Sequence, residues 1–136
     1  MRTRIGRVTN IYSSTGKIKV MYEDEGSASL PLSMLTMNQE YSMPAVGDRV
    51  VTMHMENGSS KGFVLGTYYG GGMQPKAKAG YRKDFGSGAF VICNGGAYQL
   101  SAADITLKCS YGTITVEELV KRLERIENQL GLPHAI

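Results

Sequence analysis

The second half of the chain carries apolar residues in pairs, two positions apart, at steps of seven to nine residues. This spacing predicts strands of about five residues or fewer, each with one apolar side, separated by short turns. The pairs are Phe90 and Ile92, Tyr98 and Leu100, Ile105 and Leu107, and Ile114 and Val116.

A single chain with four thin apolar strips has little interior. Burial of those strips has to offset about 1–2 kcal/mol of backbone entropy for each residue that becomes ordered. Wrapping several copies around a shared axis lets the strips of different copies face each other. The pattern therefore predicts a β-helix or stacked-strand needle over 85–115, with the four pairs at the axis of an oligomer.

An amphipathic helix with a tail is predicted for 116–136. Thr115 and Glu118 have the spacing of a capping box, and Gly131 suits the position just after a helix. Leucine at an a position and isoleucine at a d position favour three or four strands over two. Because so short a helix is marginal alone, we expect it to associate with copies of itself in a coiled coil of three or four helices. Its seam has a/d spacing and comprises Val116, Leu119, Leu123, Ile126 and Leu130.

The first 70 residues have the rhythm of a compact antiparallel unit. Lys17–Tyr22 alternates with a period of two, as expected for a strand with one buried face. Asn57-Gly58 is a favoured hairpin pair. Five short strands with one longer connection predict a mainly β fold with an N-terminal five-stranded barrel of the OB-fold type, followed by a glycine-rich basic connector over 71–84. The other expected strands are 4–11, 28–32, 49–55 and 62–69.

Composition excludes several classes of protein. With 42% hydrophobic and 20% charged residues, the 136-residue chain is too apolar for a disordered protein. A net charge of +3 falls short of the dense lysine and arginine clusters of a dedicated nucleic-acid binder. The sequence contains neither an apolar run of about 18 residues nor a secretory signal pattern. Since two cysteines do not make a disulfide framework, we expect a reduced intracellular origin.

Residues 4–69 contain a series of short motifs in a fixed order. They include Leu30-Pro31-Leu32, Met34-Leu35-Thr36, Gln39-Glu40-Tyr41, Met43-Pro44, Val46-Gly47-Asp48-Arg49-Val50, Asn57-Gly58, and Gly62-Phe63-Val64-Leu65-Gly66-Thr67-Tyr68-Tyr69. In this order they resemble the OB-fold domain of the baseplate spike proteins of contractile injection systems. These are the V-type baseplate assembly proteins of contractile-tailed phages and their VgrG-like relatives in type VI secretion and tailocin particles.

The resemblance implies a homotrimer in which the OB domain precedes a triple-stranded β-helix. In such a trimer the C-terminal helices would form a three-helix coiled coil. Such a trimer docks on the baseplate hub protein and the tail tube and pierces the target cell envelope mechanically. The chain would be made in the bacterial cytoplasm and act in the tail baseplate, without catalysis or a cofactor. Many family members end in a His-x-His apex that holds iron. This sequence lacks that motif, because its two histidines are His54 and His134.

Four further residues have reactive or metal-binding side chains. We interpret His54 as a surface histidine on its strand, and His134 as part of a frayed tail. The alternative for His134 is an axial metal site built from three copies. Cys93 and Cys109 are expected to be small buried apolar groups, since no orienting acid or oxyanion loop accompanies them. We therefore expect no catalytic residues and no enzyme.

The rival function is that of an OB-fold protein binding single-stranded nucleic acid. Such proteins combine aromatic platforms with basic residues along a groove. The candidate residues here are Tyr12, Tyr22, Tyr68, Tyr69, Arg49, Lys17 and Lys19.

Overall fold

The computed structural model describes residues 1–55, 61–70 and 72–132. The chain divides into two compact units, Met1–Gln74 and Pro75–Ile136. The fold is mainly β with one short C-terminal helix.

The first unit is a closed five-stranded barrel, as the sequence predicts. Around the ring the strand order is β1, β2, β4, β6, β5 and back to β1, while β3 pairs only with β2. The β4–β6 pair is parallel and the other pairs are antiparallel. This connectivity is compatible with an OB-fold. The strands are β1 (Arg2–Tyr12), β2 (Lys17–Tyr22), β3 (Ser27–Ala28), β4 (Leu32–Met34), β5 (Arg49–His54) and β6 (Gly62–Thr67).

The barrel core follows from the alternation of side chains along its strands. In β2 and β5 every second residue is buried, whereas its neighbours face outward. The buried hydrophobic residues are Val8, Ile18, Val20, Tyr22, Leu32, Val50 and Val64.

The predicted third strand, 28–32, is wrong as a single element. The structure has two short strands there, and β3 and β4 pair with different parts of β2. Ser29 lies between them, donating its N–H to the Val20 carbonyl and accepting from the Val20 N–H through its hydroxyl. Pro31 has no N–H for a continuous ladder, so the strand breaks here. The Asn57-Gly58 pair lies outside the described residues.

The second unit contains a three-stranded antiparallel sheet, a separate hairpin and a helix. Strands β7, β8 and β9 form the sheet in chain order, and β10 pairs with β11. Within one chain these are antiparallel hairpins, so the β-helix stays a prediction about assembled copies. The elements are β7 (Tyr81–Gly86), β8 (Ala89–Asn94), β9 (Ala97–Ser101), β10 (Thr106–Lys108), β11 (Thr113–Thr115) and α1 (Val116–Leu130).

One boundary differs from the sequence expectation. The connector predicted for 71–84 is too long, because its last four residues belong to β7. Gly86 and Gly88 both have positive φ, which permits the tight turn that returns β7 onto β8. The helix predicted to begin at residue 116 does begin at Val116, so this residue belongs to the helix and not to the strand of Ile114.

Helix α1 has the ends that the sequence predicts. The Glu118 N–H donates to the Thr115 hydroxyl over 3.1 Å, so Thr115 is the N-cap. Gly131 is left-handed with φ of 69°, and the Leu132 N–H donates to the Glu127 carbonyl over 2.8 Å. No helix in the described ranges is long and apolar enough to cross a bilayer.

Candidate functional site

The second unit has no core of its own. From residue 75 to residue 132 no side chain is buried, whereas every buried side chain of the described chain belongs to the barrel. An isolated three-stranded sheet or a 15-residue helix normally needs a packing partner to be stable. The large apolar residues left exposed here are Tyr81, Phe85, Tyr98, Leu100, Leu107, Tyr111, Leu119, Leu123, Ile126, Leu130 and Leu132. We call this set, with its half-buried neighbours, the unpartnered surface.

The strand register divides the predicted axial residues of the sheet between two faces. Cys93 lies opposite both Tyr81 and Tyr98, and Val91 lies opposite Leu100. Residues directly opposite each other share a face, so these five lie on one side of the sheet, together with Lys83 opposite Val91. We call it the tyrosine face.

Phe90 and Ile92 lie on the other side of the same sheet. Ile92 is opposite Arg82 and Gln99, and Phe90 is opposite Asp84 and Ser101. One face of a single sheet therefore does not carry both predicted pairs. The assignment of these residues to a trimer axis stays a prediction, but Tyr98 and Leu100 face away from Phe90 and Ile92.

The side with Phe90 is already covered within the chain. The Arg82 guanidinium stacks over the Phe90 ring, 4.1 Å from its centroid. Two hydrogen bonds of 3.0 Å join Arg82 to the Asp84 carboxylate and lower the pKa of that carboxyl. Phe90 and Ile92 are half-buried, as is Val91 on the other side, whereas Tyr98 is 65% exposed.

The β10–β11 hairpin and the start of α1 form a second part of the unpartnered surface. Leu107 and Ile114 are directly opposite each other and share the apolar side of the hairpin. Ile105 precedes β10, and its carbonyl accepts a 2.8 Å hydrogen bond from the Val116 N–H. This bond ties the helix start to the hairpin, so the two elements present their apolar residues as neighbours.

The helix seam predicted from the sequence is exposed. Leu119, Leu123, Ile126 and Leu130 are 38–67% exposed, and α1 has no buried residue. The i,i+4 salt bridges of the helix join Glu117 to Lys121 and Glu118 to Arg122. Hydrogen bonds from the basic partners lower the pKa of both glutamates. The helix is therefore strongly amphipathic, and its apolar side has no partner among the described residues.

The two thiols, Cys93 and Cys109, are both exposed in the single chain. Their expected burial therefore stays a prediction about assembled copies. Cys93 lies at the centre of the tyrosine face. Cys109 lies in the turn between β10 and β11, where backbone hydrogen bonds from Gly112 and Tyr111 lower the pKa of its thiol.

Sequence reasoning missed three members of the tyrosine face, namely Tyr81, Val91 and Cys93. Residues 90–93 are all apolar, so a period of two does not distinguish one side of β8 from the other. Tyr81 was placed in the connector because its neighbours are charged. The missing information was the pairing partner of each residue.

His54 corrects the sequence expectation, because it is 5% exposed and belongs to the barrel interior. The Tyr22 hydroxyl lies 2.5 Å from His54 Nε2 and 2.8 Å from the Thr52 hydroxyl. Burial raises the pKa of Tyr22, and the Arg4 guanidinium lies 3.7 Å from the centroid of its ring. The alternation Val50, Thr52, His54 could have predicted this inward position.

The residues that the sequence suggests for a metal site and for nucleic-acid binding do not form one cluster in the described ranges. In the described ranges no group of three histidine, cysteine or acidic side chains could hold a metal ion, and His134 lies outside those ranges. Of the aromatic platforms proposed for nucleic acid, Tyr22 is buried, Tyr68 is half-buried and Tyr69 is exposed. Tyr12 is exposed opposite Lys17.

Lys19 is opposite Asn10 and lies on the same side of β2 as Lys17. Arg49 is opposite Arg7 on another strand pair. The buried Tyr22 removes one stacking platform from the nucleic-acid hypothesis.

No protein-family model and no curated protein matches this chain. Its function is therefore argued from the contacts and the exposed surface described above.

Proposed function

We propose that this chain is the spike protein of a contractile injection system and acts as a homotrimer. The observation that carries the proposal is the combination of a self-sufficient barrel with a second unit in which no described side chain is buried. A unit built in this way needs neighbours to fold, and a spike supplies them as identical copies around one axis.

The resemblance of residues 4–69 supports the same function. Apart from Asn57-Gly58, which is outside the described residues, the motifs that carry it belong to the unit that forms the closed barrel, and its strand connectivity is compatible with an OB-fold. In the proposed assembly the barrels dock on the hub protein at the end of the tail tube. The second units form a triple-stranded β-helix that ends in a three-helix coiled coil.

The proposed mechanism is mechanical. Contraction of the sheath drives the tube forward, and the spike transmits the force to a small area of the target envelope. A needle of this kind has to resist unfolding under load. Strands from three chains that share backbone hydrogen bonds around one axis provide that resistance, because no chain can unfold alone without breaking bonds to the other two.

Solution mass tests the proposal directly. One chain has a mass of 14.8 kDa, so light scattering should find a particle of about 44 kDa, three times that value, that persists on dilution. A folded monomer at dilute working concentration, with a cooperative melt insensitive to dilution, would refute the spike.

A pair of variants tests the contribution of the hairpin to the assembly. Leu107→Asp places a charge on the apolar side of β10, where burial of an unpaired ion costs several kcal/mol. Thr106→Asp, one residue earlier and on the polar side, is the matched control. We expect the first variant to lose the trimer and the second to keep it. Ile105→Asp should also lose assembly.

Binding to single-stranded DNA is the outcome that would favour the rival. A nucleic-acid binder loses orders of magnitude in affinity between about 50 and 200 mM salt. A spike should show no sub-micromolar affinity for a labelled oligonucleotide at either salt concentration.

A further inference from the structure

We infer that the tyrosine face of the β7–β9 sheet is the face that packs against a second copy of this chain. This inference rests on the proposed trimer and deepens it by naming which side of the sheet is the subunit interface. It assigns Tyr81, Val91, Cys93, Tyr98 and Leu100 to that interface, and it places Phe90 and Ile92 on the side away from it.

The two sides of the sheet differ in how their apolar atoms are covered. On the side with Phe90, the Arg82 guanidinium lies over the ring and forms a salt bridge with Asp84, and Ser101 and Gln99 add further polar groups. Turning this side into a dry interface would remove a salt-bridged arginine and aspartate from water, which costs several kcal/mol for each ion.

The tyrosine face has the opposite character. Two rows cross the three strands, one from Tyr81 through Cys93 to Tyr98 and one from Lys83 through Val91 to Leu100. Tyr81, Tyr98 and Leu100 are 59%, 65% and 51% exposed. Lys83 is the one charged residue of these rows and its long aliphatic stem can lie along an apolar surface. Aromatic side chains with a polar tip are enriched in protein interfaces.

The area of this face indicates what kind of partner covers it. A buried aromatic residue contributes roughly 150–250 Å². Two tyrosines that are about 60% exposed can therefore bury roughly 200–300 Å² of surface. A standard interface buries about 800 Å² on each partner. The sheet alone is too small for a stable complex, so the hairpin and the helix seam have to contribute.

A second copy meets that requirement better than a different protein. The sheet, the hairpin and the helix all lack a core, so their partner has to be present whenever the chain folds. Another copy is made at the same time, in equal amount, and carries the same three apolar surfaces.

Thiol labelling gives a readout that does not depend on a destabilising variant. In Cys109→Ser, Cys93 is the remaining thiol and lies between Tyr81 and Tyr98. We expect a maleimide to label Cys93 at least tenfold more slowly in the native assembly than in urea-unfolded protein. Both labelling rates are first divided by the rate of a model thiol under the same conditions. In the matched protein, Cys93→Ser and Cys109→Ser are combined with Gln99→Cys, which puts the thiol on the other side of the sheet. That thiol should label at a rate close to the unfolded rate.

Two neighbouring charge substitutions provide the second test. Leu100→Glu should shift light scattering from trimer toward monomer, whereas Gln99→Glu on the other side should remain trimeric. If the wild type is trimeric, but Gln99→Glu dissociates and Leu100→Glu does not, the face assignment is overturned. The proposed spike function is then unaffected. Fast labelling of Cys93 in that trimer would overturn the face assignment as well. A monomeric wild type would refute the proposed function itself, and the inference with it.

Discussion

Removal of one hydroxyl inside the barrel, in Tyr22→Phe, should destabilise the first unit far more than its size suggests. Tyr22 is 2% exposed, and its hydroxyl contacts both His54 Nε2 and the Thr52 hydroxyl. The change therefore removes a hydrogen-bonding partner from two buried polar groups at once. His54 is the more vulnerable of the two, because its Nδ1 is buried and has no hydrogen-bond partner among the described residues.

The magnitude follows from the cost of leaving buried polar groups unsatisfied. Each such group costs about 1–3 kcal/mol, and Thr52 keeps a weaker contact of 3.3 Å to the Arg4 carbonyl. We therefore expect a loss of roughly 2–4 kcal/mol, since the ring and its packing are retained. This corresponds to about a 30- to 700-fold rise in the population of the open barrel, at a factor of ten for each 1.4 kcal/mol.

Hydrogen exchange measured by mass spectrometry on peptides from β2 and β5 provides the assay, because it reports opening of the barrel in the full-length assembly. Tyr69→Phe is the matched control, since Tyr69 is 70% exposed and should change exchange by less than about 0.5 kcal/mol. Adding Thr52→Val to Tyr22→Phe should recover part of the loss by removing one orphaned hydroxyl. Exchange in Tyr22→Phe equal to that in the control would show that the buried network contributes nothing.

Three further predictions concern other contacts. Thr115→Ala removes the N-cap of α1 and should cost about 1 kcal/mol, measured by urea denaturation followed by circular dichroism, whereas Thr115→Ser should cost less. Hydrogen bonds from Lys121 and Arg122 hold the pKa values of Glu117 and Glu118 below their ordinary value of 4.5. Their stabilisation is therefore complete above that pH and is lost as the pH falls through the lowered values. Helicity in low salt that stays constant until both carboxyls are protonated would contradict this. Gly6→Ala should lower the melting temperature of the barrel, because a Cβ there would collide with the Val20 side chain and lie 2.9 Å from the Met21 carbonyl oxygen; an unchanged melt would show that β2 can shift.

The barrel shows which structural features the local sequence pattern can predict. Alternation along β2 and β5 is enough to predict both strands and their buried sides, because side chains of neighbouring residues point to opposite faces. The same alternation places His54 inward, but a titratable side chain was expected at the surface. Only the Tyr22 hydroxyl, on β2, explains how this imidazole is accommodated in the interior, and β2 does not pair with β5.

The division of the predicted third strand into β3 and β4 could not be predicted from the local sequence pattern. Leu32 is apolar and suits a strand, and Pro31 marks a possible break, but the sequence does not reveal which part of β2 each fragment pairs with. Pairing over a distance is a property of the whole sheet. For the same reason residues 81–84 fell within the predicted connector, although Tyr81–Gly86 is a full strand once β8 lies beside it.

By itself, the sequence determined the elements whose signals are local: the alternating strands of the barrel and the helix with its threonine cap, its glycine end and its apolar seam. It also determined that the second unit has too few apolar residues to form its own core. The tertiary structure decided which residues share a face, because a side chain's neighbours across a sheet depend on register, which is set by turns and pairing partners distant in the sequence. That is why Phe90 and Tyr98, which look equivalent in the sequence, lie on opposite sides of the same sheet.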